Sequence, residues 1–212
     1  MTAAGGTHGP RLIDTRVPHR PEGVVLVLHG GANRPGNPMV SPTQLSVIRM
    51  VPVARRVARA GRGRLAVLRL LNSVRGWDAE RTPVADVEWA LGEVHDRLGD
   101  LPVSLVGHSL GGRAALLAGA APAVRSVVAL NPWVYATDAP DLAGRRVLVV
   151  HGTADRIADP ARARAVVGRM ERSTDVELVE VEGGRHAMLR HGGVFERAAA
   201  GFVTETLLGT PR

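Results

Sequence analysis

The chain has 212 residues, 45% of them hydrophobic and 22% charged, enough to bury a core without metal or disulfide support. It contains no cysteine, which excludes a disulfide framework, a thiolate nucleophile and any zinc site built on sulfur, and leaves a hydroxyl nucleophile open. The net charge of +7 raises the question of a nucleic-acid partner, yet all 27 basic residues are arginines in an Ala-, Gly- and Val-rich chain, and only 3% of residues are aromatic and able to stack on bases.

Met1 to Pro10 is Gly- and Ala-rich and reads as a flexible N-terminus without a signal-length apolar run. No segment reaches the roughly 18 apolar residues of a membrane span, so no membrane partner and a cytoplasmic location are expected. An edge strand over Leu12 to Val17 is ended by Pro18 and turned by Pro21, Glu22 and Gly23. The strand Val24 to Leu28 then runs into His29, Gly30, Gly31, Ala32 and Asn33, a turn able to aim backbone N–H groups. A helix is predicted over Gln44 to Ala60. Its Arg55, Arg56 and Arg59, with Arg62 and Arg64 in the following turn, read as a solvated face, and no nucleic-acid partner is expected.

Further strands are predicted at Leu65 to Leu70, Val103 to Val106, Ser126 to Leu130, Val147 to Val150 and Val176 to Val181. Helices are predicted at Val84 to Leu98, Leu110 to Gly119, Ala161 to Arg172 and Gly193 to Leu208. Several strands are apolar throughout, as parallel strands buried on both faces are. The alternation predicts a doubly wound α/β fold, a mostly parallel sheet with helices on both faces, in one domain over residues 1–212. Between Leu130 and Val147 there is room for one loop with a turn or two of helix, so any lid is minimal.

The run Val103 to Val106 leads into Gly107, His108, Ser109, Leu110 and Gly111, a G-x-S-x-G in strand–turn–helix context. The sharp turn strains Ser109 and exposes its hydroxyl, and side chains at 107 and 111 would collide beside it. The helix after it offers unpaired N–H groups to an anion, with Leu110 the first donor and Gly31 or Ala32 the second. Serine at its own pKa is a weak nucleophile, so a base and an orienting group must follow. Asp155 lies just beyond the strand at 147–150, where open α/β sheets place their sites, whereas Asp159 before Pro160 reads as a helix N-cap. His186 follows in a glycine-bearing loop and can act as general base and acid. His191 is expected at the start of the last helix, and His29 is expected to hold its turn by hydrogen bonds.

Through H-G-G at 29–31, G-H-S-L-G-G at 107–112, H-G-T-A-D at 151–155 and G-G-R-H at 183–186, the chain resembles the α/β-hydrolase superfamily over nearly its whole length. The resemblance implies Ser109 as nucleophile, Asp155 as acid, His186 as base, and Leu110 with the loop after His29 as oxyanion donors. The short Asn131 to Arg146 segment makes it similar to cap-poor carboxylesterases and dienelactone-hydrolase-like proteins. Trp77, Trp133, Tyr135 and Met188 fall on the same end of the sheet and are pocket candidates. The expected activity is hydrolysis of a small-molecule ester or thioester with no metal or organic cofactor. An acyltransferase or thioesterase-like biosynthetic enzyme using the same catalytic triad, or a non-catalytic binding protein of the same fold, are the alternatives. The sequence does not specify an oligomeric state.

Overall fold

A computed structural model describes residues 9–32 and 40–209. The expected flexible start lies almost wholly outside these residues, and so does Asn33. Seven strands alternate with helices in chain order: β1 (Arg11–Arg16), β2 (Gly23–Leu28), α1 (Leu45–Ile48), α2 (Met50–Ala60), β3 (Leu65–Leu71), α3 (Thr82–Leu98) and β4 (Val103–His108). There follow α4 (Leu110–Leu117), β5 (Val124–Leu130), β6 (Arg146–Gly152), α5 (Pro160–Met170), β7 (Asp175–Val181) and α6 (Gly192–Leu208). They form one sheet in the order β1-β3-β2-β4-β5-β6-β7, with β1 antiparallel to β3 and every other pairing parallel.

Strand β2 shows why the sheet is covered on both sides. Every residue of G-V-V-L-V-L is buried, and successive side chains point to opposite faces. Val24, Leu26 and Leu28 join a cluster with Val87, Ala90 and Val94 of α3, Ala114 to Leu116 of α4, and Val166, Val167 and Met170 of α5. Val25 and Val27 join the opposite cluster, with Val53, Ala54 and Val57 of α2 and Phe195, Ala199 and Val203 of α6. Burying a Val or Leu side chain contributes about 1.5–3 kcal/mol, so these two layers drive the fold.

The single helix expected over 44–60 is two, α1 and α2, meeting at Arg49. The physical reason is Pro52, which has no N–H to donate and whose ring crowds the carbonyl four residues back, that of Ile48. Proline is tolerated in the first turn of α2, so the chain restarts a helix there. The segment between β5 and β6 contains turns and no helix, a barer connection than expected. No helix among the described residues is long and apolar enough to cross a membrane.

From β2 the chain moves to β3 on one side and then crosses to β4 on the other. The carboxyl ends of β2 and β4 therefore flank a topological switch point, where crevices form in such sheets. The carboxyl end of β4 runs so close to α4 that a Cβ on Gly107 would lie 2.1 Å from the Gly111 carbonyl oxygen. Gly107→Ala should accordingly cost at least about 3 kcal/mol, since the atom met is backbone and cannot swing aside. Chemical denaturation checks this; a loss under 1 kcal/mol would refute the packing argument.

Candidate active site

Ser109 sits between β4 and α4 with φ +56° and ψ −120°, a left-handed conformation that a serine adopts only under constraint. The constraint is visible: its N–H donates to the Leu130 carbonyl (3.0 Å), and its carbonyl accepts from Arg113 N–H (3.1 Å) and Trp133 N–H (3.1 Å). The first loop closes against it from the other side. A Cβ on Gly30 would lie 3.0 Å from the Ser109 Cβ, and one on Gly111 would lie 2.5 Å from the His29 carbonyl oxygen.

Ser109, His186 and Asp155, far apart in sequence, meet at the carboxyl end of the sheet. His186 Nε2 lies 2.9 Å from Ser109 Oγ, and His186 Nδ1 lies 2.8 Å from Asp155 Oδ2. A carboxylate only accepts, so Nδ1 carries the ring proton and Nε2 presents its lone pair to the serine hydroxyl. The Asp155 side chain is fully inaccessible. Burial by itself would raise its pKa, but hydrogen bonds from His151, His186 and the Ile157 and Ala158 amides outweigh this and hold it well below the usual carboxylate range. The two amides reach Oδ1 at 2.8 and 2.9 Å, leaving Oδ2 for the imidazole.

Three buried polar residues wire this arrangement and were not assigned roles from sequence. His151 Nε2–H points at the Ala158 carbonyl (3.1 Å) and lies 3.5 Å from Asp155 Oδ2. His108 Nε2–H donates to the His186 carbonyl at 2.8 Å; burial first, and the neighbouring His186 second, push its pKa down to about 3, so it stays neutral. Asn131 has φ +42° and is fully buried. Its amide donates to the Arg185 and His186 carbonyls at 3.2 Å each, and its Oδ1 accepts from Gly152 N–H at 2.8 Å. The acid and base loops also touch directly: a Cβ on Gly152 would lie 2.3 Å from the Gly184 carbonyl oxygen, which accepts from Ala154 N–H at 3.0 Å.

Asn131→Ala leaves the buried Gly152 N–H without its acceptor and removes one of two donors from each of the Arg185 and His186 carbonyls, which keep Met188 N–H and His108 Nε2–H. It should lower stability by about 1–3 kcal/mol and kcat by up to about a hundredfold, with a much smaller change in KM. Denaturation and steady-state kinetics on one preparation check both parts. An unchanged kcat would show that the His186 loop holds its position without Asn131.

A cavity of about 790 Å³ opens above Ser109 and His186, lined also by Gly31, Ala32, Leu110, Trp77 and Trp133. Two of the four pocket candidates are thus in the wall and two are elsewhere. Tyr135 turns outward, 46% exposed, and packs edge-on against Trp133 with ring centroids 5.0 Å apart. Met188 is buried in the core layer beneath α6. In both cases loop geometry, which has no fixed period, decides the direction of the side chain. Behind the aromatic wall, Arg113 pairs with Asp138 at 2.7 Å while its guanidinium lies 4.0 Å from the Trp77 ring centroid.

Asp159, His191 and His29 stand where they are expected. Asp159 caps α5, accepting from Ala161 N–H at 2.9 Å, and His191 is the N-cap residue of α6. His29 accepts from Asn72 N–H at 3.2 Å and donates from Nδ1 to the Gly30 carbonyl at 2.6 Å, and burial lowers its pKa. No cluster of three His, Cys, Asp or Glu fit to hold a metal occurs among the described residues.

No protein-family model and no curated protein sequence matches the chain. Solved structures do match. An α/β serine hydrolase without a lid from Xanthomonas campestris is 21% identical, covering 95% of this chain and 90% of its own, with a TM-score of 0.67. The esterase Est1E from Butyrivibrio proteoclasticus, with ferulic acid bound, is 16% identical over 94% and 96% at a TM-score of 0.69. Esterase 2 of Thermogutta terrifontis, phosphoramylated by tabun, is 17% identical over 96% and 92% at a TM-score of 0.71.

Proposed function

Starting from the α/β-hydrolase fold that the chain shares with these proteins, we propose that it is a serine hydrolase that cleaves an ester or thioester through an acyl-enzyme on Ser109. The observation that carries the reading is the continuous chain from Ser109 Oγ through His186 to Asp155, at 2.9 and 2.8 Å, on a strained turn beside an open cavity.

In the first half-reaction Ser109 Oγ attacks the carbonyl carbon while His186 Nε2 takes the hydroxyl proton. The carbonyl π pair moves onto oxygen. That oxyanion forms beside the first turn of α4, where Leu110 N–H is unpaired by the helix and the dipole end is positive. Gly31 or Ala32, in the same cavity wall, supplies the second donor. Collapse expels the alcohol or thiol, which takes the proton from His186. Water, deprotonated by the same nitrogen, then attacks the acyl carbon and Ser109 leaves with the proton. Asp155 stays ionised and holds the imidazolium through Nδ1–H. Leu45 and Ile157, both well exposed at the rim, with Leu110 and Trp133, supply apolar surface for an acyl chain.

A fluorophosphonate probe tests the reading. Folded wild-type protein and His191→Ala should be labelled, and Ser109→Ala and His186→Ala should not. An unlabelled, folded wild type would refute the hydrolase and favour a binding module.

A further inference from the structure

The catalytic cycle leaves one wall of the cavity unexplained. Arg49, at the junction of α1 and α2, and Arg75, in the loop between β3 and α3, line the same cavity as Ser109 and His186. The Nε of each is buried with no acceptor among the described residues. Several guanidinium groups elsewhere do have carboxylate partners: Arg64 with Glu22, Arg97 with Asp14, Arg113 with Asp138, Arg146 with Glu205 and Arg164 with Glu180. No Asp or Glu lines the cavity among the described residues, and the segments outside them contain none. Ser41, Thr43, Gln44 and Ser46 add hydroxyl and amide groups to the wall that carries Arg49.

Two cations held in one partly enclosed space without a counter-charge cost free energy in the empty protein, and an incoming anion recovers it. Burial already draws the Arg49 pKa down. A guanidinium presents parallel N–H groups that match the two oxygens of a carboxylate or phosphate, and it keeps its charge at every working pH. We infer that the substrate is an anionic ester, carrying a carboxylate or phosphate that Arg49 and Arg75 receive while its carbonyl lies at Ser109. The inference rests on the serine hydrolase reading and adds the substrate class. The cavity, about 790 Å³, falls in the size range of small-molecule sites.

The test compares kcat/KM for matched esters: para-butyryloxybenzoate against its methyl ester, and para-butyryloxyphenyl phosphate against phenyl butyrate. In parallel, para-hydroxybenzoate, inorganic phosphate and uncharged para-hydroxybenzamide are titrated by tryptophan fluorescence, which needs no turnover, since Trp77 and Trp133 line the cavity. The anionic ester of a pair should be favoured by about tenfold or more, with the advantage shrinking as salt is added. Arg49→Gln and Arg75→Gln should each reduce that advantage by about tenfold, and Arg→Lys should retain part of it. Preference within the benzoate pair alone identifies a carboxylate, and preference within the phosphate pair alone a phosphate. Circular dichroism establishes folding, and the salt series on wild type carries the test if the Gln variants unfold. Equal kcat/KM within both pairs, with neither anion bound more tightly than the benzamide, overturns the inference and leaves the hydrolase standing. Anion binding lost in the Gln variants, without turnover of any ester, keeps the anion site and removes the hydrolase.

Discussion

Ser109→Ala should reduce kcat for a short-chain nitrophenyl ester by about a millionfold, and His186→Ala by a similar factor. The reason is that the two groups act as one unit: the hydroxyl is a weak nucleophile without a base, and the base has no proton to take without the hydroxyl. The double variant should therefore be no slower than either single variant, because the second removal finds nothing left to lose. Single-turnover kinetics on purified protein, with titration of contaminating esterase, makes the comparison. A double variant slower by the product of the two factors would mean that the residues contribute independently, and the proton relay would be wrong.

Asp155→Asn should lower kcat by roughly ten-thousandfold while leaving the fold intact at neutral pH. An asparagine can keep the Ile157 and Ala158 amide bonds to its oxygen, which are 2.8 and 2.9 Å long in the parent. Its NH₂ group then faces His186 Nδ1 and forces the ring proton onto Nε2, the nitrogen that must accept the serine proton. The same NH₂ also meets His151 Nε2–H, donor against donor. A stability signature accompanies the kinetic one. The Asp155 pKa is depressed below its ordinary 3.8 on folding, so its contribution is fully present above that pH and is lost as pH falls below it. The Tm of wild type and variant should thus differ most near neutrality and converge in acid. A gap that stays constant from neutral pH down into the acid range would show that Asp155 is not ionised in the native state, and a kcat within tenfold of wild type would remove it from the orienting role.

How much of this could be read from the chain alone follows from what each feature depends on. The strands and the turn at Ser109 are local. Valine runs, glycines at 107 and 111 and the small residues after them specify their own geometry within a dozen positions. The order Ser109, Asp155, His186 adds a pattern that few other arrangements explain. The break at Arg49 was missed because Pro52 fits the helical period as well as it ends one helix and opens another. The wiring by Asn131, His108 and His151 was missed for a different reason. Asn131 reaches carbonyls 54 and 55 positions away, and only the finished sheet brings those atoms together. A polar residue directly after an all-apolar strand end, as in Leu130–Asn131, was the available signal. Arg49 and Arg75 were likewise two arginines among 27 until the fold placed both in one cavity.

The contact of Gly152 with Gly184 has a consequence in time. Because the backbones of the two loops touch, and Ala154 and Asn131 hydrogen-bond across them, a thermal fluctuation that swings Asp155 outward must carry His186 with it. The nucleophile stands directly after a central strand, β4, paired on both edges, and stays behind. The protein would then alternate between a fully assembled relay and a bare serine, with no lingering species in which the base is present but misoriented.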